Sequence, residues 1–114
     1  MNIAVVRGTV LRDPQERILA TGQKVVSLDL NVSYEDRPNE NLEVVWVDPP
    51  RNLAVPRQGN EVFAVGRVRR RFYKTAGGPV SRTEVVADTV LTSRQTSRIT
   101  RALEEVAAAM SAAR

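Results

Sequence analysis

The sequence contains neither cysteine nor histidine. The first absence excludes disulfides and thiolate metal sites, and the second removes the commonest general base and the commonest neutral metal ligand. Carboxylates alone could hold magnesium, but the acidic residues are scattered singly, apart from Glu35-Asp36 and Glu104-Glu105, and sit in no ligand spacing. No metal site, cofactor, small-molecule substrate or catalytic activity is expected from such a set. Long apolar runs are also missing, so no membrane span is predicted. The opening Met1-Asn2-Ile3-Ala4-Val5-Val6-Arg7 has neither the basic head nor the cleavage site of a secretory signal, which makes the expected location cytoplasmic. Aromatic rings are scarce: one Trp, two Tyr and two Phe. Any surface that works by stacking has few rings to use.

What is present is the balance of a folded domain, with 42% apolar and 26% charged residues in 114 positions, enough for one core and too few for two. The net charge is +4, and 15 of the 17 cations are arginine, the side chain that pairs phosphate bidentately and stacks on flat rings. That balance points toward a polyanion.

The apolar pattern reads as five strands. Residues 2–12 form the first, with Gly8 where a sharp bend or bulge would sit and Asp13-Pro14 ending it. A short extended stretch, Glu16 to Leu19, leads to the turn signal Thr21-Gly22. Val26, Leu28 and Leu30 then alternate with Ser27, Asp29 and Asn31, a half-buried second strand. The polar run Glu35–Asn41 predicts a loop, and Leu42 to Val47 a third strand. Pro49, Pro50 and Pro56 leave room for at most one helical turn near Arg51 to Val55. Glu61 to Tyr73 and Val80 to about Leu91 read as the last two strands, joined at Ala76-Gly77-Gly78-Pro79. From about Ser93, the positions Ile99, Leu103, Val106 and Met110 fall on one helical stripe. The stripe fits packing on the chain's own barrel or on a sister subunit. The expected fold is all-β: a five-stranded OB-fold Greek-key barrel over residues 1–92, with a short or vestigial helix after strand 3, then a C-terminal amphipathic α-helix over 93–114.

The segment richest in chemistry is Arg67-Val68-Arg69-Arg70-Arg71-Phe72-Tyr73. With the period of two of a strand, Arg67, Arg69, Arg71 and Tyr73 project from one side. Three like charges side by side cost energy, which a polyphosphate would relieve, and the ring offers a base a platform. A solvated edge strand made basic against aggregation would look similar, but edge protection does not call for an adjacent aromatic pair. Lys74 beside Tyr73, and Tyr34 and Arg37 in the polar loop, join the candidate DNA-binding set. Trp46 fits core burial or a binding face equally on spacing alone. Phe63 and Phe72 are assigned to packing or to a subunit contact.

Across residues 2–91 the sequence resembles the bacterial single-stranded DNA-binding protein family. Asn2, Val5-Val6 and Gly8–Arg17 resemble its opening strand and Asp-Pro turn; Thr21-Gly22 with Val25–Leu30, its second strand. Gly66–Tyr73 is similar to its glycine-basic-hydrophobic-basic segment ending in a stacking ring, and Arg82–Asp88 to its last strand. The resemblance implies binding of single-stranded DNA with little sequence preference, in replication, repair or recombination, by a homo-oligomer, tetramer or dimer. It also implies base contacts for Trp46 and Tyr73. A third family ring has no equivalent in register, Tyr34 being only its neighbour, and a fourth is lost with the shortened helix. With fewer platforms at about 1 to 3 kcal/mol each, phosphate contacts must carry more of the affinity. The family's acidic C-terminal tip has no counterpart here, so a short paralogue is expected. The competing expectation is an OB-fold protein-interaction or primosomal accessory module, with Trp46 at the centre of a docking patch and weak or no nucleic-acid binding.

Overall fold

The computed structural model describes residues 1–112; residues 113–114, the end of the expected helical segment, lie outside the described residues. Among the described residues six strands and one helix follow in order: β1 (Ala4–Val10), β2 (Gln15–Ile18), β3 (Lys24–Val32), β4 (Glu40–Val47), β5 (Glu61–Thr75), β6 (Gly78–Thr92) and α1 (Thr96–Ala112). The sixth strand is the short extended stretch after Asp13-Pro14, which pairs with β3 from Gln15↔Ser27 to Ile18↔Lys24.

The sheet order is β1-β5-β6-β4-β3-β2, and β1 also pairs with β3 at Thr9↔Asn31 and Val10↔Leu30, which closes the barrel. β1 can change neighbours because Gly8 has no side chain: a Cβ there would lie 2.9 Å from the Asn31 carbonyl oxygen. The alternation read in β3 holds, since Val26, Leu28 and Leu30 are fully buried and meet Val10, Val44, Trp46, Val62, Ala64, Val85, Ala87 and Val90 inside. After β4 the prolines allow a single turn, closed by Leu53 N–H donating to the Pro50 carbonyl at 3.2 Å, and no helix forms.

β5 and β6 are 15 residues each and pair from Val62↔Thr92 to Thr75↔Gly78. β1 leaves β5 at Ala4↔Gly66, and β4 reaches β6 no further than Glu43↔Glu84, so residues 70–83 project beyond the wall as a two-stranded arm. Its root carries a bulge: Val65 pairs with Thr89 and Gly66 with Ala87, leaving Asp88 over. Here the strands run so close that a Cβ on Gly66 would fall 1.9 Å from the Val86 carbonyl oxygen. Asn2 extends the pairing of β1 by a side chain, its amide donating to the Val68 carbonyl at 2.8 Å and accepting from Val68 N–H at 3.0 Å.

α1 starts at Thr96, later than the expected Ser93, after Thr92 N–H donates to the Gln95 side chain and Gln95 N–H returns to the Thr92 carbonyl. It rests on the outer side of β5 and β6, where Ile99, Ala102 and Val106 meet Phe63, Val65 and Leu91. The predicted stripe is therefore split, with Leu103 and Met110 exposed.

Candidate nucleic-acid interface

Period-two geometry puts Arg67, Arg69, Arg71 and Tyr73 of β5 on one face, and the register sets Val86, Glu84, Arg82 and Val80 of β6 opposite them on that face. Because β6 pairs with β4 and β4 with β3, the face continues as Glu43 and Val45, then Asp29 and Ser27. The loop between β1 and β2 walls the far side. The result is an open groove of about 700 Å³, lined among others by Arg12, Gln15, Arg17, Asn41, Glu43, Arg71 and Arg82. Among the described residues no aromatic ring lines it.

Most of the groove's charges are paired, and of its lining arginines Arg17 and Arg71 have no ion-pair partner among the described residues. Glu84 is fully buried, and its Oε1 accepts from Arg69 Nε at 2.9 Å and from Arg69 Nη2. Arg82 pairs with Glu43 at 3.5 Å and Arg12 with Asp29 at 3.1 Å. Burial, then the neighbouring Glu84, holds the Glu43 carboxyl above its ordinary value against the pull of Arg82 and Arg71. Burial would also raise Glu84, but hydrogen bonds from Glu43 and Arg69 and the Arg69 charge outweigh it and hold Glu84 below its ordinary value. Of the two, Glu43 therefore takes up a proton more readily as pH falls, and Glu84 keeps its charge longer. Glu84 Oε2 has no hydrogen-bond partner among the described residues, so a proton taken up by Glu43 would give it a donor.

The expected site residues divide accordingly. Arg67 and Lys74 are exposed and Arg71 half-buried, and none of the three has an ion-pair partner among the described residues. Tyr73 is 39% exposed, with the Arg71 guanidinium 5.7 Å from its ring centroid. Lys74 has the parity of Phe72 and projects from the reverse face of the arm, whereas Arg69 shares the face of Arg67, Arg71 and Tyr73 but is held by Glu84. Tyr34 and Arg37 lie elsewhere, on the β3–β4 loop: Arg37 sits 5.3 Å from the Tyr34 ring and pairs with Asp36, and the Tyr34 hydroxyl donates to Glu40 at 3.3 Å. Desolvation and Glu40 raise the Tyr34 phenol pKa. Tyr34 lines a smaller cleft of about 300 Å³ that meets the groove only at Asn41 and Leu42.

Trp46 requires a correction. It is 1% exposed, stacked into the barrel between Val26 and Ala87, and no base can reach it without opening the core. Its parity within β4 is that of Val44, the inward set. Phe72, assigned to packing or a subunit contact, packs little within the chain: it is 73% exposed on the reverse face of the arm. Phe63 does pack, beneath α1.

Sequence reasoning missed Arg82, Arg12 and the acidic partners Glu84, Glu43 and Asp29. Arg82 could have been found by counting outward from the Ala76-Gly77 turn, which sets it opposite Arg71. The burial of Glu84 carries no local signal, because it depends on which strand lies beside β6. Among the described residues no three His, Cys, Asp or Glu side chains gather as a metal site, and no helix is long and apolar enough to cross a membrane.

No family model matches the chain. In sequence it is similar to the single-stranded DNA-binding protein of Deinococcus radiodurans, 35% identical over 77 residues, which cover 60% of this chain and 26% of that protein. The chain thus spans about a quarter of that relative's length. In fold it is similar to the protein in a Plasmodium falciparum SSB complex with ssDNA, with a TM-score of 0.65 and 22% identity over 81% of this chain and 94% of the other. The structural likeness establishes the OB barrel, and both comparisons agree with the resemblance read from the sequence.

Proposed function

We propose that this chain binds single-stranded DNA, with the arm and groove as its binding surface and no chemistry of its own. The observation that carries the reading is the single face on which Arg67, Arg71 and an exposed Tyr73 stand together, neither arginine in an ion pair among the described residues, with Arg71 lining the open groove. Cations placed so gain most from a polyphosphate, and a ring beside them can stack any base. Arg69, Arg82 and Arg12 act differently. Each is already paired, so it would meet the strand as one half of an ion pair, offering hydrogen bonds rather than net charge. Tyr34 and Arg37 would contact a strand only where it leaves the groove toward the β3–β4 loop. Trp46 is left out, and with it the docking patch on which a protein-interaction role would centre.

In this reading residues 1–92 are the binding domain and 93–114 an appendage to it, acting in the cytoplasm in replication, repair or recombination. A homo-oligomer, dimer or tetramer, belongs to it too. Among the described residues, Ala4–Gly8 of β1 pair on one side only, and Phe72 is exposed, both of which suit a second copy.

Titration with a fluorescently labelled oligonucleotide across a range of salt tests the reading. With about three phosphates neutralised, by Arg67, Arg71 and Lys74, log affinity should fall against log salt with a slope near ~−2. A flat titration, or no mobility shift at low salt, refutes it.

A further inference from the structure

The strand register sets Asp29 of β3, Glu43 of β4 and Glu84 of β6 side by side in one row, with Arg69 of β5 at its end. Carboxylates directly opposite one another repel, and each of the three is held by one arginine. Arg12 pairs with Asp29 at 3.1 Å, Arg69 gives Glu84 two hydrogen bonds, and Arg82 pairs with Glu43 at 3.5 Å. The middle carboxylate therefore has an anion on each side and the longest ion pair of the row. Its partner is also crowded by like charge: Arg82 lies opposite Arg71, and Glu43 is the anion on which both act.

A phosphate entering the groove meets these groups unequally. Arg12, Asp29, Glu43, Arg71 and Arg82 line the groove, whereas Arg69 and Glu84 do not. The Arg82 side chain is 55% exposed and that of Glu43 21%, so a ligand reaches the guanidinium more readily than the carboxylate that holds it. From the opposite wall Asp13, Glu16 and Arg17 face the same space. Asp13 accepts from Gln58 N–H at 2.9 Å, Glu16 pairs with Lys24 at 2.9 Å, and Arg17 has no ion-pair partner among the described residues. A phosphate that bridges Arg71 and Arg82 takes over the part Glu43 plays between them. The carboxylate then loses its cation, keeps two anionic neighbours and gains a third, which favours its uptake of a proton from water. Burial and Glu84 already hold it above its ordinary value in the free chain.

We propose that Glu43 competes with the strand for Arg82, so that binding single-stranded DNA is coupled to proton uptake by the Glu43 carboxylate and tightens as pH falls. This rests on the single-strand-binding reading and deepens it by giving the groove two charge states. With Glu43 ionised, Arg82 is committed to it; with Glu43 protonated, Arg82 joins Arg71 as a free cation. The complex binds more protons than the free chain, so affinity rises on acidification, by at most about tenfold per pH unit for a single proton, and levels off once Glu43 is protonated in both.

The test titrates the whole chain with a labelled oligothymidylate, whose bases take up no proton in mild acid, from about pH 8 to about pH 5.5. Wild-type affinity should rise toward the acid end, and the salt slope should steepen by about 0.7, the share of one further phosphate contact. Glu43→Gln, which imitates the protonated side chain, should bind about fivefold more tightly than wild type at the alkaline end in ~0.1 M salt and show no rise on acidification. Glu43→Gln/Arg82→Ala should lose that gain, which marks Arg82 as the cation released. Calorimetry in buffers of different ionisation enthalpy should find proton uptake on binding by wild type and none by Glu43→Gln. Wild-type affinity and salt slope that do not change with pH overturn the proposal and leave the groove reading intact. A rise that survives Glu43→Gln assigns the proton to another group and overturns it as well. Failure of the unaltered chain to bind at any pH overturns both.

Discussion

Trp46 and Tyr73 are both rings on strands, and the contrast between them separates the barrel wall from the arm. At Trp46, β4 has a neighbour on each side, Val26 of β3 and Ala87 of β6, and one face of the strand is sealed by the core. At Tyr73, β5 has only Val80 of β6 beside it, so both faces meet solvent. A ring in the wall stabilises the fold, and a ring on the arm is available to a ligand. The number of flanking strands, rather than the type of residue, decides which.

Substitutions can break that contrast. Trp46→Ala should cost about 3 to 5 kcal/mol in urea unfolding, whereas Trp46→Phe should cost far less, because the indole N–H has no acceptor among the described residues and its loss offsets the smaller ring. In the intact protein Trp46 emission should respond little to added oligonucleotide, and strong quenching would place the ring outside the wall. Glu84→Gln should cost about 1.5 to 3 kcal/mol, since it removes the charged acceptor that holds the partly exposed Arg69. Differential scanning calorimetry would read this as a lowered Tm, and an unchanged Tm would show that the wall ends before Glu84. On the arm, Tyr73→Ala should leave stability within about 0.5 kcal/mol and weaken oligonucleotide binding by about 1 to 2 kcal/mol. The reverse pattern would make the arm a structural element.

A smaller effect sharpens the border between the two regions, where Glu43 and Glu84 meet. Glu43 is held above its ordinary value, so the folded chain binds a proton that the unfolded chain releases, and mild acidification adds stability. Glu84 is held below, so its contribution is complete above the ordinary carboxylate value and is lost as pH falls through the lowered one. The urea midpoint should therefore rise slightly on acidification and then fall. Glu43→Gln should abolish the rise and keep the fall, and a rise that survives this substitution has another source.

How much could be read beforehand follows the same division. Local pattern was enough for the half-buried alternation of β3, for the single turn that the three prolines permit, and for the shared face of Arg67, Arg69, Arg71 and Tyr73, because each depends on residues close in sequence. The inward position of Trp46 depends on which strands flank β4, and the burial of Glu84 on β4 lying parallel beside β6. Pairing of that kind is set by the closed barrel and leaves no mark on neighbouring residues. The strand order gave the barrel, whereas the family resemblance implied a base contact for Trp46 that its burial excludes.

The bulge at the arm's root bears on how such a protein could change. Asp88 is left over between two matched pairs, so deleting it would keep Arg69 opposite Glu84 and Arg71 opposite Arg82 while relaxing the local bend and twist. Direction and chemistry are thus controlled by separate residues. A lineage could re-aim the whole limb by gaining or losing one amino acid at its hinge, without altering a single group on the face it points.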